Sequence, residues 1–173
     1  MQNDKPTMLR PVAIAIAAML QNTAAHAQQG KDMAYYCTSE VATGLFYNKD
    51  LKRWVSTNFK PSDPFVLRLK FEETKMEKEY SFSTEELATY YTLTMTPKGT
   101  DNAAECRKYG SGTTAKMRVF DYLYFACNSN LTDYQINLKT GRFLAAYSVG
   151  YINGSDNNND NPAMTAGTCT KIQ

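Results

Sequence analysis

The chain has 173 residues, 43% of them hydrophobic and 21% charged, with 19 basic against 17 acidic side chains and a formal net charge of +2. A balance so near neutral, with both signs interspersed, leaves no electrostatic footprint for nucleic acid or for an anionic membrane surface. A single histidine and four cysteines leave little room for the commonest nucleophilic mechanisms.

Residues 1–27 read as a secretory signal peptide. Lys5 and Arg10 precede the apolar run 12–20, and Ala25-His26-Ala27 forms a small-residue exit site. That run is shorter than the about 20 apolar residues a membrane span requires, and no cysteine follows it to carry a lipid. Cleavage after Ala27 removes Lys5, Arg10, Asp4 and His26, which leaves a single domain over residues 28–173 with a net charge of +1. The expected location is the periplasm or the cell exterior, with no membrane insertion after cleavage.

Stretch 33–37 reads as the first strand and 41–47 as its continuation, with Gly44 as a bulge or bend. Asn48-Lys49-Asp50 turns the chain into a strand over 53–59. Trp54 in that strand reads as a core anchor whose ring nitrogen finds an acceptor, with ligand stacking as the other role. Pro61-Ser62-Asp63-Pro64 stops the strand. The next, 65–71, alternates with Phe65, Leu67, Leu69 and Phe71 inward. Mixed charges over 72–79 read as a hairpin tip, and 80–82 resumes the sheet. Ser83 and Glu86 have capping-box spacing, which predicts a short helix over 84–90. A strand over 91–95 then ends at Pro97-Lys98-Gly99, and 100–113 reads as a loop.

Three strands, 116–127, 132–138 and 142–151, form the clearest pattern. In the middle one Tyr134, Ile136 and Leu138 face one way and Asp133, Gln135 and Asn137 the other. Asn128-Ser129-Asn130 breaks the first pair, and Lys139-Thr140-Gly141 turns the second with Gly141 left-handed. Phe143-Leu144-Ala145-Ala146 is apolar on both faces, which suits a central or barrel strand. A polar loop over 153–162 leads to a closing strand over 163–172. The fold class predicted is all-β: an antiparallel β-barrel, or a sandwich, of about eight strands with one short helix.

Cys37, Cys106, Cys127 and Cys169 all lie within 28–173, and an even count in an exported chain implies two disulfides. Three pairings exist. Cys106–Cys127, closing a local loop, and Cys37–Cys169, joining the first and last strands, are favoured. Metal binding is the competing use, but no C-x-x-C pair stands here and no histidine remains after cleavage.

Proton transfer by imidazole leaves with His26, and the oxidised cysteines are inert, so no catalytic residue and no cofactor is assigned. Gly110-Ser-Gly112 lacks the lysine and the flanking strand of a phosphate loop. Asp121 interrupts an apolar face; a bend that carries the acid to solvent is favoured over a functional buried carboxylate. Asp156 and Asp160 bracket three asparagines at the spacing of a calcium loop. However, the turn glycine and the terminal glutamate are missing, so no metal is expected. Twelve tyrosines are the one excess. Nine of them, Tyr35, Tyr36, Tyr90, Tyr91, Tyr122, Tyr124, Tyr134, Tyr147 and Tyr151, lie in or beside strands. They either pack a small barrel or line its mouth as a binding surface.

The run Tyr35-Tyr36-Cys37, with Gly44, Trp54, Phe59, Asn137-Leu-Lys-Thr-Gly-Arg-Phe143, Gly150-Tyr151 and Gly167-Thr-Cys169, resembles a group of small exported bacterial proteins of unassigned function. The resemblance implies export and one domain, and brings no catalytic residues. The expected function is non-catalytic binding of a small apolar ligand or a protein partner. The alternatives are a carboxylate- or tyrosine-based enzyme, or an envelope interaction module without a pocket.

Overall fold

A computed structural model describes residues 30–78, 81–108, 116–119 and 123–173. The signal-peptide reading, Gly110-Ser-Gly112, Asp121 and Tyr122 lie outside them. Ten strands run β1 (Met33–Asn48), β2 (Arg53–Phe59), β3 (Phe65–Lys78), β4 (Glu85–Pro97), β5 (Ala104–Glu105), β6 (Met117–Val119), β7 (Tyr124–Ser129), β8 (Thr132–Asn137), β9 (Arg142–Tyr147) and β10 (Ala163–Lys171). One helical turn, α1 (Val149–Ile152), lies before the last strand. The fold is all-β and antiparallel, as the alternating pattern implies.

β1 is the spine. Its first half pairs with β3 and its second half with β2, while β10 lies along its other edge. The sheet order is β5-β4-β3-β1-β10-β9-β8-β7, with β6 added beside β4. The sheet curls until its two ends meet, but among the described residues no ladder joins them. Arg107 and Asn128 exchange one pair of backbone hydrogen bonds, at 2.8 and 2.7 Å, and Cys106–Cys127 staples the same place. The arrangement is therefore sandwich-like rather than a closed barrel.

The curl places one face of every long strand inside. Leu67, Leu69, Leu93 and Ile136 are fully buried, and each such burial contributes about 1.5–3 kcal/mol over the exposed state. Phe65 meets Tyr134 and Phe143 edge to face, which ties the two halves together. Cys37 and Cys169 sit directly opposite on β1 and β10 and are joined. Two disulfides point to an oxidising, extracytoplasmic environment. Among the described residues no helix is long and apolar enough to cross a membrane.

Several local expectations are corrected. Residues 84–90 are not helical: Glu85, Glu86 and Leu87 pair with Lys78, Glu77 and Met76, and β4 continues unbroken from there. The capping-box spacing is a local signal, and the alternating Thr-Tyr-Tyr-Thr-Leu-Thr stretch it leads into gains more from pairing with β3. Residues 72–78 belong to β3 rather than to a tip, and Ser81-Phe82 turn instead of resuming the sheet. The helical turn falls at Val149–Ile152, where a strand was expected; there Gly150 lets the backbone carbonyl of Asp160 pass against it. The bulge in β1 is at Glu40, between Ser39 and Val41, not at Gly44. Gly44 stays in the ladder and is needed because the Pro162 carbonyl crosses where a Cβ would stand. The 116–127 strand divides into β6 and β7. Its hairpin into β8 turns on two residues, Asn130 and Leu131, both left-handed. The β8–β9 loop has four residues, Leu138 to Gly141, held by Asn137 Oδ1 accepting from the Lys139 and Thr140 amides, with Gly141 left-handed as expected.

Candidate functional site: an uncovered sheet face

Among the described residues the core is lined by apolar side chains and disulfides. All four cysteines are in disulfides, and among the described residues no three histidine, cysteine, aspartate or glutamate side chains gather as a metal site would require. Asp156 Oδ1 accepts from the Trp54 indole N–H at 3.0 Å, and Asp160 Oδ1 accepts from the Tyr147 hydroxyl at 3.1 Å. These two carboxylates fasten a loop to the sheet rather than converge on one point.

The described tyrosines do not line one mouth. Tyr35 and Tyr91 are buried in the core, where desolvation pushes both hydroxyls above the usual range. Tyr134 closes one end of the sandwich beside Ser129 and Thr132, at a cleft of about 240 Å³, and burial raises its hydroxyl too. Tyr90 lies on the β3–β4 arm and donates to Glu77, which also faces Lys75 and Arg118. Burial and that carboxylate push Tyr90 up to about 12. Trp54 is not the core anchor expected: it is half-buried on the outer surface, edge to face with Tyr47 and Tyr151, although its ring nitrogen does find an acceptor.

The feature that stands out is the outer face of the central strands. Cross-strand register places Val41, Ala166, Leu144, Gln135 and Ala126 in one row across β1, β10, β9, β8 and β7. The adjacent row reads Thr43, Met164, Ala146, Asp133 and Asn128. Val41, Leu144 and Met164 remain 56%, 46% and 52% exposed. The solvent face of an antiparallel sheet is ordinarily polar, and here its middle strands carry aliphatic side chains and alanines.

A groove of about 530 Å³ lies on this face, with Leu144, Ala166, Gln135 and Tyr124 in its lining. Its lining also carries opposite charges from the two strands that flank β10, Arg142 from β9 and Glu40 from β1. Glu40 is the bulged residue of β1; its extra position leaves the ladder, and its Oε1 accepts from the Thr168 hydroxyl at 2.7 Å. The sequence shows that 143–146 is apolar on both faces, a pattern that suits a central or barrel strand and does not mark the outer face as uncovered. Placing Leu144 on the same face as Met164 and Val41, with Ala166 between Leu144 and Val41, requires the register, which no single strand reveals.

The chain matches no protein-family model, no curated protein and no solved structure.

Proposed function

We propose that the protein is an exported, non-catalytic binding module that holds a segment of a protein partner against the outer face of β9, β10 and β1. In this reading residues 1–27 direct export and are removed, and the domain works in the periplasm or outside the cell. The observation that carries it is the exposed aliphatic surface of Val41, Leu144 and Met164 on the central strands. Contiguous apolar surface on a soluble domain marks an interaction site, because leaving it in water costs free energy that a partner recovers. The groove beside it adds the few polar groups that fix orientation: Glu40 and Arg142 of opposite charge, and the Gln135 amide.

A small apolar ligand inside the sandwich is not supported, since that space is filled by Leu67, Leu93, Ile136 and Phe143. The 240 Å³ cleft at Tyr134 is smaller than the roughly 300 Å³ at which ligand pockets begin.

The double variant Leu144→Lys with Met164→Lys tests the patch. Both side chains point to solvent, so the melting temperature should stay within about 2 °C. Binding of a hydrophobic dye to the folded protein should fall about threefold or more. Unchanged dye binding would show that the apolar surface accessible to ligands lies elsewhere.

A further inference from the structure

The end of β1 and β2 carries a second surface of different chemistry. Tyr47 and Trp54 are cross-strand partners, and α1 brings Tyr151 against the same indole. The ring centroids are 5.6 and 5.7 Å apart, both contacts edge to face. No pair is stacked flat, so each contact covers at most one ring face. Tyr151 is 55% exposed and its neighbour Ile152 75%. A cluster serving only to bury rings would not leave its outermost members so open.

The loop beside the rings is polar and held in place. Asn158 acts as a surrogate strand: its Oδ1 accepts from the Tyr47 amide at 2.7 Å and its Nδ2 donates to the Tyr47 carbonyl at 3.0 Å. Asp156 fixes the indole N–H, Asp160 ties down the Tyr147 hydroxyl, and Asn157 Oδ1 takes the Asn159 amide. The loop is thereby anchored before any ligand arrives, which lowers the ordering cost of binding. Asp156, Asn159 and Asp160 remain on the surface.

We infer that the Tyr47–Trp54–Tyr151 surface, with the Asp156 loop beside it, is a platform for a neutral saccharide. A sugar ring has an apolar C–H face and a rim of hydroxyls. The exposed Tyr151 ring, with half-buried Trp54 and Tyr47 beside it, meets the first, and planar carboxylate and amide groups meet the second as paired acceptors and donors. A neutral saccharide is favoured because the charges around the rings balance, with Asp156 and Asp160 in the loop and Asp50 in the β1–β2 turn set against Lys49, Lys52 and Arg53.

Trp54 is the sole tryptophan, so intrinsic fluorescence reports the site directly. The folded domain is titrated with maltohexaose, cellohexaose and chitohexaose, and affinities are checked by calorimetry. At least one of these should shift Trp54 emission saturably. Tyr151→Phe, which keeps the ring, should bind within about twofold of the parent, and Tyr151→Ala should weaken binding about tenfold or more at an unchanged melting temperature. No saturable shift with any of the three at millimolar concentration overturns the inference. Equal affinity of Tyr151→Ala and Tyr151→Phe overturns it as well.

Discussion

Removing the two disulfides one at a time separates what each contributes. Cys37–Cys169 closes a loop with a sequence separation of 132, and Cys106–Cys127 one of 21. Cross-linking restricts the unfolded chain in proportion to the logarithm of loop length, giving about 5 kcal/mol for the first and about 3 kcal/mol for the second. All four sulfurs are buried, so alanine pairs leave comparable voids and the difference isolates the loop term. In a chain of this size Cys37→Ala with Cys169→Ala should lower the melting temperature by roughly 10–20 °C, and Cys106→Ala with Cys127→Ala by roughly 6–12 °C. Thermal and urea melts of both variants under oxidising conditions measure this. A larger loss for the Cys106 and Cys127 pair would refute the reasoning. It would mean that stapling the two ends of the sheet, which otherwise share one backbone bridge, matters more than restricting the unfolded state.

Three further outcomes follow from close contacts and charge. In Gly167→Ala the new Cβ would stand 2.2 Å from the Thr38 carbonyl oxygen and 2.6 Å from Phe143 Cε1. Overpacking against backbone should cost about 1–3 kcal/mol in a urea melt, and a loss under about 0.5 kcal/mol would show that β10 shifts freely. Glu77 is held below the usual carboxylate range by the Tyr90 hydroxyl first, aided by Lys75 and Arg118 against some desolvation. A depressed carboxylate stabilises the fold above its unfolded pKa, and that stability is lost as pH falls through the folded value. Glu77→Gln should therefore lose less melting temperature than the parent on acidification from pH 6 to pH 3. Tyr90, raised to about 12, stabilises below its ordinary value of 10.0 and loses that contribution as pH rises towards the folded value, so Tyr90→Phe should flatten the alkaline limb of the same profile.

The parts of the fold legible in the sequence are those set by strand periodicity. Phe65, Leu67 and Leu69 on β3, and Ile136 with Leu138 around β8, announce their inward faces by alternation alone. Gly141 announces its left-handed turn because few other residues tolerate it. Residues 84–90 mislead because a capping box is read over four residues, whereas β4 is decided by thirteen residues in register with β3. The open sheet was not legible, since closure depends on how far the curl carries β5 towards β7. The outer-face site was half legible. Its apolar residues were visible on β9, but their neighbours on β10 and β1 lie some 20 and 100 positions away in the chain and meet only through pairing.

Photocrosslinking in cells that export the protein tests the binding face most directly. A photoreactive residue at Leu144 or Met164 should give one discrete adduct with another protein, and the same residue at Lys98, in the exposed turn after β4, should give none. Leu144→Lys in the Met164 crosslinker should reduce the adduct. Adducts absent from both Leu144 and Met164, or equal in yield from Lys98, would contradict the assignment of this face to partner binding.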